Sequence, residues 1–360
     1  NAGYATGMFG KWHLGEDPEH HPLCQGFEEA IVSMGVHFNF KTNPKTDDPQ
    51  GDYLADFLTD RALDFIRRHR DGPFLLYLPH FAVHVPLQAK QRWIEHFQSK
   101  APVGGHCDPI YAGMIASVDE SVGRVLALLD ELRLSDNTLV IFSSDNGGVG
   151  GYEREGIRGK SITDNAPLKG GKGMLYEGGI RVPCIFRWPG RIAFGTVCDE
   201  PINSVDLYPT LLAAARAKPP ENYPLDGAGY MDLLIGGPRR PRKPLFWHFP
   251  GYLGSGAGTW RTTPAGAIRA GDWKLLEFFE DGRLELYNLK DDIGEMKNLA
   301  AAQPDKVNEL HAQLIAWRSE INAPMPIKNV PSERSAEEEK GQKRKTRQQR
   351  RQTEPQQLKP

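Results

Sequence analysis

Gly3-Tyr4-Ala5-Thr6-Gly7-Met8-Phe9-Gly10-Lys11-Trp12-His13-Leu14-Gly15 runs from a short apolar segment through a glycine to a lysine and a nearby histidine. A strand over residues 6–9 sets Lys11 and His13 just past its end and on the same side, because strand side chains alternate with a period of two. A cation beside an imidazole suits an anionic centre that also needs proton handling. Two later segments repeat the pattern. Phe74-Leu75-Leu76-Tyr77-Leu78 is a continuous apolar run, the mark of a strand buried on both faces, and it leads to His80 and His84. Residues 138–142 form a second such run, ending in Ser143-Ser144-Asp145-Asn146-Gly147-Gly148. In open α/β sheets, sites form at the carboxyl ends of strands, so these distant residues can converge.

The types of residue at those ends suggest their work. Asp145 and Asn146 offer oxygens to a hard cation such as Ca²⁺ or Mg²⁺, which takes roughly six to eight ligands, so others must come from elsewhere. Lys11 and Lys172, the latter in a glycine-rich stretch, can hold the oxygens of a tetrahedral oxyanion. The imidazoles of His13 and His84 can serve as base and acid. His80 reads as structural, and His20 and His21 as solvated loop residues.

Helical periodicity fills the intervals. Leu54, Phe57, Leu58, Ala62 and Phe65 predict a helix reaching about residue 69 with Asp52 as its cap. Residues 108–132 predict a long helix with Ile115, Val118, Val122, Val125, Leu126 and Leu129 on its inner face, and residues 207–215 a shorter one. Residues 178–186 predict a third strand, with Cys184 in the core. Helices alternating with apolar strands argue for an α/β fold with a central, mostly parallel sheet. From about residue 241 the texture changes to short runs separated by Gly and Asp, predicting a small antiparallel sheet with a turn at residues 280–283 and a closing helix over 304–321. The expected organisation is residues 1–238, a C-terminal α+β unit over 239–327, and a disordered basic tail over 328–360. Residues 340–351 carry seven Lys or Arg and no acid, and the sharper reading of that run is a contact for polyanions.

Composition excludes some classes. The 360 residues include 39% apolar side chains and carry a net charge of −2, which gives no global reason to expect a nucleic-acid or membrane partner. No run approaches the roughly 18 apolar residues of a spanning helix. Cys24, Cys107, Cys184 and Cys198 are widely spaced, against a zinc ribbon or disulfide scaffold. The chain begins at Asn1, almost inside a motif, and is expected to be a piece whose N-terminal part, with any export signal, is missing.

The opening motif resembles the second signature of the type I sulfatases. The likeness continues in order through Pro73–Leu78 to Val83-His84-Val85-Pro86, Ser144-Asp145-Asn146-Gly147-Gly148, Leu168-Lys169-Gly170-Gly171-Lys172-Gly173 and Tyr176-Glu177-Gly178-Gly179-Ile180-Arg181-Val182-Pro183. Later landmarks are Asp206-Leu207-Tyr208-Pro209-Thr210-Leu211, Tyr287-Asn288-Leu289, Asp291 and Glu295. The resemblance implies an alkaline-phosphatase-like α/β sandwich with a small C-terminal antiparallel sheet. It implies hydrolysis of sulfate esters, with sulfated polysaccharides as natural substrates, in an exported protein. It implies a calcium ion, with Asp145 and Asn146 among its ligands, and a formylglycine nucleophile made from a Cys or Ser. Lys11 and Lys172 would bind and act on sulfate, His13 would meet the formylglycine diol, and His84 would bind substrate and protonate the leaving oxygen.

The chain departs from the family in lacking the Cys-x-Pro-x-Arg nucleophile motif and the paired N-terminal aspartates. It is therefore expected to be nearly inactive alone and to expose apolar surface where strands are lacking. Rival readings are a phosphate mono- or diester hydrolase of the same superfamily and a non-catalytic sulfated-glycan binder. The loops at residues 36–39 and 250–261 are expected to shape the substrate pocket.

Overall fold

The computed structural model describes residues 2–46, 51–152, 162–219, 221–238, 242–256 and 259–327. The tail over 328–360 lies outside them. At the centre is β1 (Ala5–Gly10), flanked in parallel by β2 (Glu29–Val32) and β3 (Phe74–Tyr77) in the order β2-β1-β3. Between β2 and β3 in sequence lies α1 (Leu54–Arg68), a crossover long enough for β3 to run parallel to β1. Its apolar stripe, Leu54, Phe57, Leu58, Ala62 and Phe65, packs with Phe9, Phe40 and Phe81 into the main core. The N-cap is Tyr53 rather than Asp52. At the other end Arg68 forks onto both carboxylate oxygens of Glu29, each at 2.6 Å, and ties the helix to β2.

On the helical layer, α2 (Gln91–Gln98) and α3 (Pro109–Glu131) pack together, with Asp108 capping α3 through the amides of Ile110 and Tyr111. The inner face of α3 corrects the sequence reading. Met114, Ser117, Ser121, Leu128 and Leu129 are buried, whereas Ile115 is 48% exposed. Small hydroxyl residues let the helices approach closely and satisfy themselves internally: Ser117 donates to the Gly113 carbonyl at 3.0 Å, and Thr59 to that of Ala55 at 2.6 Å. Counting apolar residues alone therefore selects the wrong face.

Ser121 also fixes His80. With the Thr59 hydroxyl spent on Ala55, Ser121 donates to Thr59 at 2.6 Å, and His80 Nε2–H donates to Ser121 at 3.0 Å. Nδ1 is left bare, buried and without a partner. Burial pulls the His80 pKa down to about 4. The unfolded chain binds that proton more tightly, so stability is full above about pH 6.5 and is lost as pH falls towards 4, by on the order of 2–3 kcal/mol. Urea titrations at pH 4.5 and 7 of the wild type and His80→Gln check this: the variant is expected to lose the part of the slope that His80 contributes.

Beyond α3, β4 (Val140–Ser143) pairs antiparallel with β5 (Cys184–Arg187) in a separate two-stranded sheet. The predicted third strand is shorter than expected, because its Gly178-Gly179-Ile180 start folds as part of α4 (Glu177–Ile180). Cys184 is exposed rather than core, as are the other three cysteines, all free thiols. The two-sided burial read for β3 is also corrected: Leu75 and Tyr77 are 41% and 48% exposed, on the face opposite α1. After α5 (Leu207–Ala214) and α6 (Met231–Leu234), the C-terminal sheet follows as expected. It comprises β6 (Leu245–Phe249), β9 (Ala265–Ala270), β10 (Trp273–Phe278) and β11 (Leu284–Asn288) in the order β11-β10-β9-β6, with the hairpin β7 (Leu253–Gly256) and β8 (Thr259–Thr262) inserted. The closing helix α7 (Pro304–Glu320) covers one face through Val307, Leu310 and Leu314.

Candidate active site at the strand ends

Gly10 positions Lys11. Its φ of 146° favours glycine, and a Cβ there would strike the Pro79 carbonyl, the group that accepts the Lys11 amide at 2.7 Å. The exits of β1 and β3 are thereby locked side by side. Lys11 Nζ then lies 4.0 Å from Asp145 Oδ2, beyond the end of β4. Asp145 is 71% exposed at its side chain.

The glycine-rich loop brings the second lysine. Asn165 gathers it, its Nδ2 lying within hydrogen-bonding distance of the carbonyls of Gly148, Gly150 and Gly170 while its Oδ1 accepts the Gly148 amide. The Lys172 amide donates to Gly148 at 3.0 Å, and its carbonyl accepts the Tyr152 hydroxyl at 2.9 Å. Burial lowers the pKa of Lys172; Asp145 opposes the shift, and the positive charges of Lys11 and Arg261 reinforce it. Lys11, Lys172 and Asp145 thus share one electrostatic field. Asn146 donates through Nδ2 to the Gly147 carbonyl at 3.1 Å, which leaves Oδ1 as its acceptor atom.

That donor set, one carboxylate and one amide oxygen, has the chemistry for a hard cation and supplies part of a shell. Among the described residues, the one cluster of three or more His, Cys, Asp or Glu groups close enough to share an ion is Asp17, Glu19 and His20, all exposed; it does not include Asp145.

The histidines differ. His13 is exposed, with no hydrogen bond or ion pair among the described residues. His84 is half-buried and donates through Nδ1 to the Val85 carbonyl at 2.8 Å, so Nε2 is the atom left to exchange a proton. Sequence reasoning missed what holds His84. His37 is fully buried, lies between Tyr53 and Phe81 at 5.9 and 4.8 Å, and donates from Nε2 to the His84 carbonyl at 2.8 Å. Phe81 in turn packs on the His84 ring at 5.1 Å. His37→Phe keeps the stack and loses the N–H; His37→Gln keeps a donor. We expect the Phe variant alone to displace the His84 ring resonances, read by NMR at fixed pH.

The Sulfatase family profile matches residues 1–217, and a profile for the C-terminal part of N-sulphoglucosamine sulphohydrolase matches residues 171–320. A Formosa agariphila protein named sulfatase is 34% identical over 85% of this chain and 58% of its own length. Human N-acetylgalactosamine-6-sulfatase is 33% identical over 69% of this chain and 49% of its own. The chain therefore spans about half to three fifths of these curated relatives. The crystal structure of Ps i-CgsB in complex with k-i-k-neocarrahexaose superposes with a TM-score of 0.74 and 30% identity, over 88% of this chain and 72% of that one.

Proposed function

The chain belongs to the sulfatase family, and on that premise we propose that it carries part of the site of a sulfuric ester hydrolase acting on sulfated glycans. The observation that supports this reading is the pairing of Lys11 and Lys172 around Asp145 at the ends of β1 and β4. Two ammonium groups match the three outer oxygens of a sulfate ester, whose charge shifts towards the leaving oxygen as the S–O bond breaks.

The chain's own residues divide the work. Lys11 and Lys172 bind and orient the sulfate. His84, with Nδ1 committed to Val85, presents Nε2–H to the leaving oxygen, since an alkoxide departs poorly without an acid. His13 is free to take part in proton transfer afterwards. Asp145 and Asn146 Oδ1 would hold calcium, which neutralises sulfate charge, while a formylglycine outside this chain would supply the nucleophile. This chain alone is proposed to be nearly inactive. Export is proposed as the setting, and no helix among the described residues is long and apolar enough to cross a membrane.

The complete gene product should be assayed on 4-nitrophenyl sulfate and 4-nitrophenyl phosphate, with and without a calcium chelator. Calcium-dependent turnover of the sulfate in preference to the phosphate is the expected result. Preferred phosphate turnover would move the site to phosphoester hydrolysis. Saccharide binding without turnover of either would make it a lectin.

A further inference from the structure

The β7–β8 hairpin comes from the C-terminal sheet, yet it lies on the Lys172 loop. Leu253 of β7 occupies the space beside Gly173, where a Cβ would come within 2.8 Å of its Cδ2. From β8, Arg261 donates through Nη1 to the Tyr152 hydroxyl at 3.2 Å, with its guanidinium 5.6 Å from the Tyr152 ring centroid. The same Tyr152 hydroxyl donates to the Lys172 carbonyl. Gly254, at φ 69°, lies flush against the guanidinium and leaves no room for a side chain. Arg261 is therefore seated by Tyr152 and Gly254, residues of two separate segments.

Its charge is unanswered. Arg261 is half-buried and pairs with no carboxylate among the described residues, and neither does Lys172. Asp145 is the acid that faces this cluster of three cations. A sulfate monoester brings one negative charge, which Lys11 and Lys172 already meet. A third fixed cation beside them suits a second anion, and a planar guanidinium suits the paired oxygens of a sulfate or carboxylate.

Resting on the sulfate-ester reading above, we propose that Arg261 is a substrate-binding residue that selects glycans carrying a second anionic group next to the scissile sulfate. The substrate class is a sugar bearing two negative charges: two sulfates, or one sulfate and one carboxylate. Trp260, the next residue on β8, faces the other way, packing on Tyr252 at 5.2 Å, and serves as a control.

The test is calorimetric binding of three probes to the 360-residue chain: a methyl glycoside monosulfate, its disulfated form, and its monosulfated uronate form. We expect at least one doubly charged probe to bind about tenfold tighter than the monosulfate, the scale of one charge-assisted hydrogen bond. Which of the two binds tighter identifies the second group. Arg261→Ala is expected to erase that preference and leave the monosulfate within about twofold, while Trp260→Ala keeps it. No preference in the wild type, or a preference that survives Arg261→Ala, overturns the proposal. Equal loss for all probes also overturns it, placing Arg261 in the sulfate cradle itself. Monosulfate binding that inorganic sulfate does not displace, or that is unchanged in Lys172→Ala, sinks the underlying sulfate-site reading instead. Absence of any binding contradicts both.

Discussion

Lys274→Met is expected to destabilise the chain by roughly 3–5 kcal/mol, the cost of stripping the partner from buried charge. Lys274 is fully buried on β10, with Nζ 2.9 Å from Glu177 Oε1 and 2.9 Å from Glu295 Oε1. Glu295 Oε2 also accepts the Glu177 amide at 2.7 Å. Burial opposes charge on both carboxyls. Lys274, with Arg269 and Arg181, nevertheless holds Glu177 below the usual carboxylate range, whereas burial and the Glu177 charge push Glu295 above it. Removing the ammonium leaves two carboxyls facing each other out of water. Glu295→Gln in the same chain should recover part of the loss, because it removes one of them. Urea denaturation of the four corners of this cycle checks it; additive effects would contradict the coupling. The cluster matters beyond stability. It anchors α4, whose Gly178 amide binds the Lys169 carbonyl at 2.8 Å and whose Gly179 carbonyl accepts the Gly147 amide at 3.0 Å. The C-terminal sheet thereby holds both the Lys172 loop and the Asp145-Asn146 turn.

Lys172→Ala is expected to lower kcat/KM of the complete gene product on 4-nitrophenyl sulfate by about 10²–10³, the usual loss when a preorganised charge at a transition state is removed. The pH profile carries a sharper signature. Lys172 must be protonated to hold sulfate, and its pKa is depressed by burial and by Lys11 and Arg261. Activity should therefore fall on the alkaline side below the ordinary lysine range. Lys11→Gln removes a like charge, so that limb should move to higher pH even as the rate drops. Asp145→Asn removes the opposing charge and should move it lower. A limb that stays put in both variants would place Lys172 outside the field of the site.

Much of this was legible in local pattern. Lys11, Asp145 and the strands before them follow from apolar runs ending in polar residues, and the C-terminal sheet from short runs between Gly and Asp. What escaped was carried by contacts between distant segments. His37 meets His84, Asn165 meets Gly148 and Arg261 meets Tyr152 through hydrogen bonds that no spacing announces. The strand errors share another cause. An apolar run reports what a segment can bury, not what lies against it. Phe142 and Ile185, 37% and 58% exposed on β4 and β5, resemble Leu75 and Tyr77 in this respect. Cys184 is exposed because β5 pairs only with β4 among the described residues and has no wider sheet around it.

The most direct test of the shared sulfate cradle is a titration of the chain with inorganic sulfate, following the side-chain NMR signals of Lys11 and Lys172. Both should move together with one dissociation constant, and Lys172→Ala should silence the response of Lys11. Independent titrations, or a Lys11 signal that still responds in the variant, would contradict a single site.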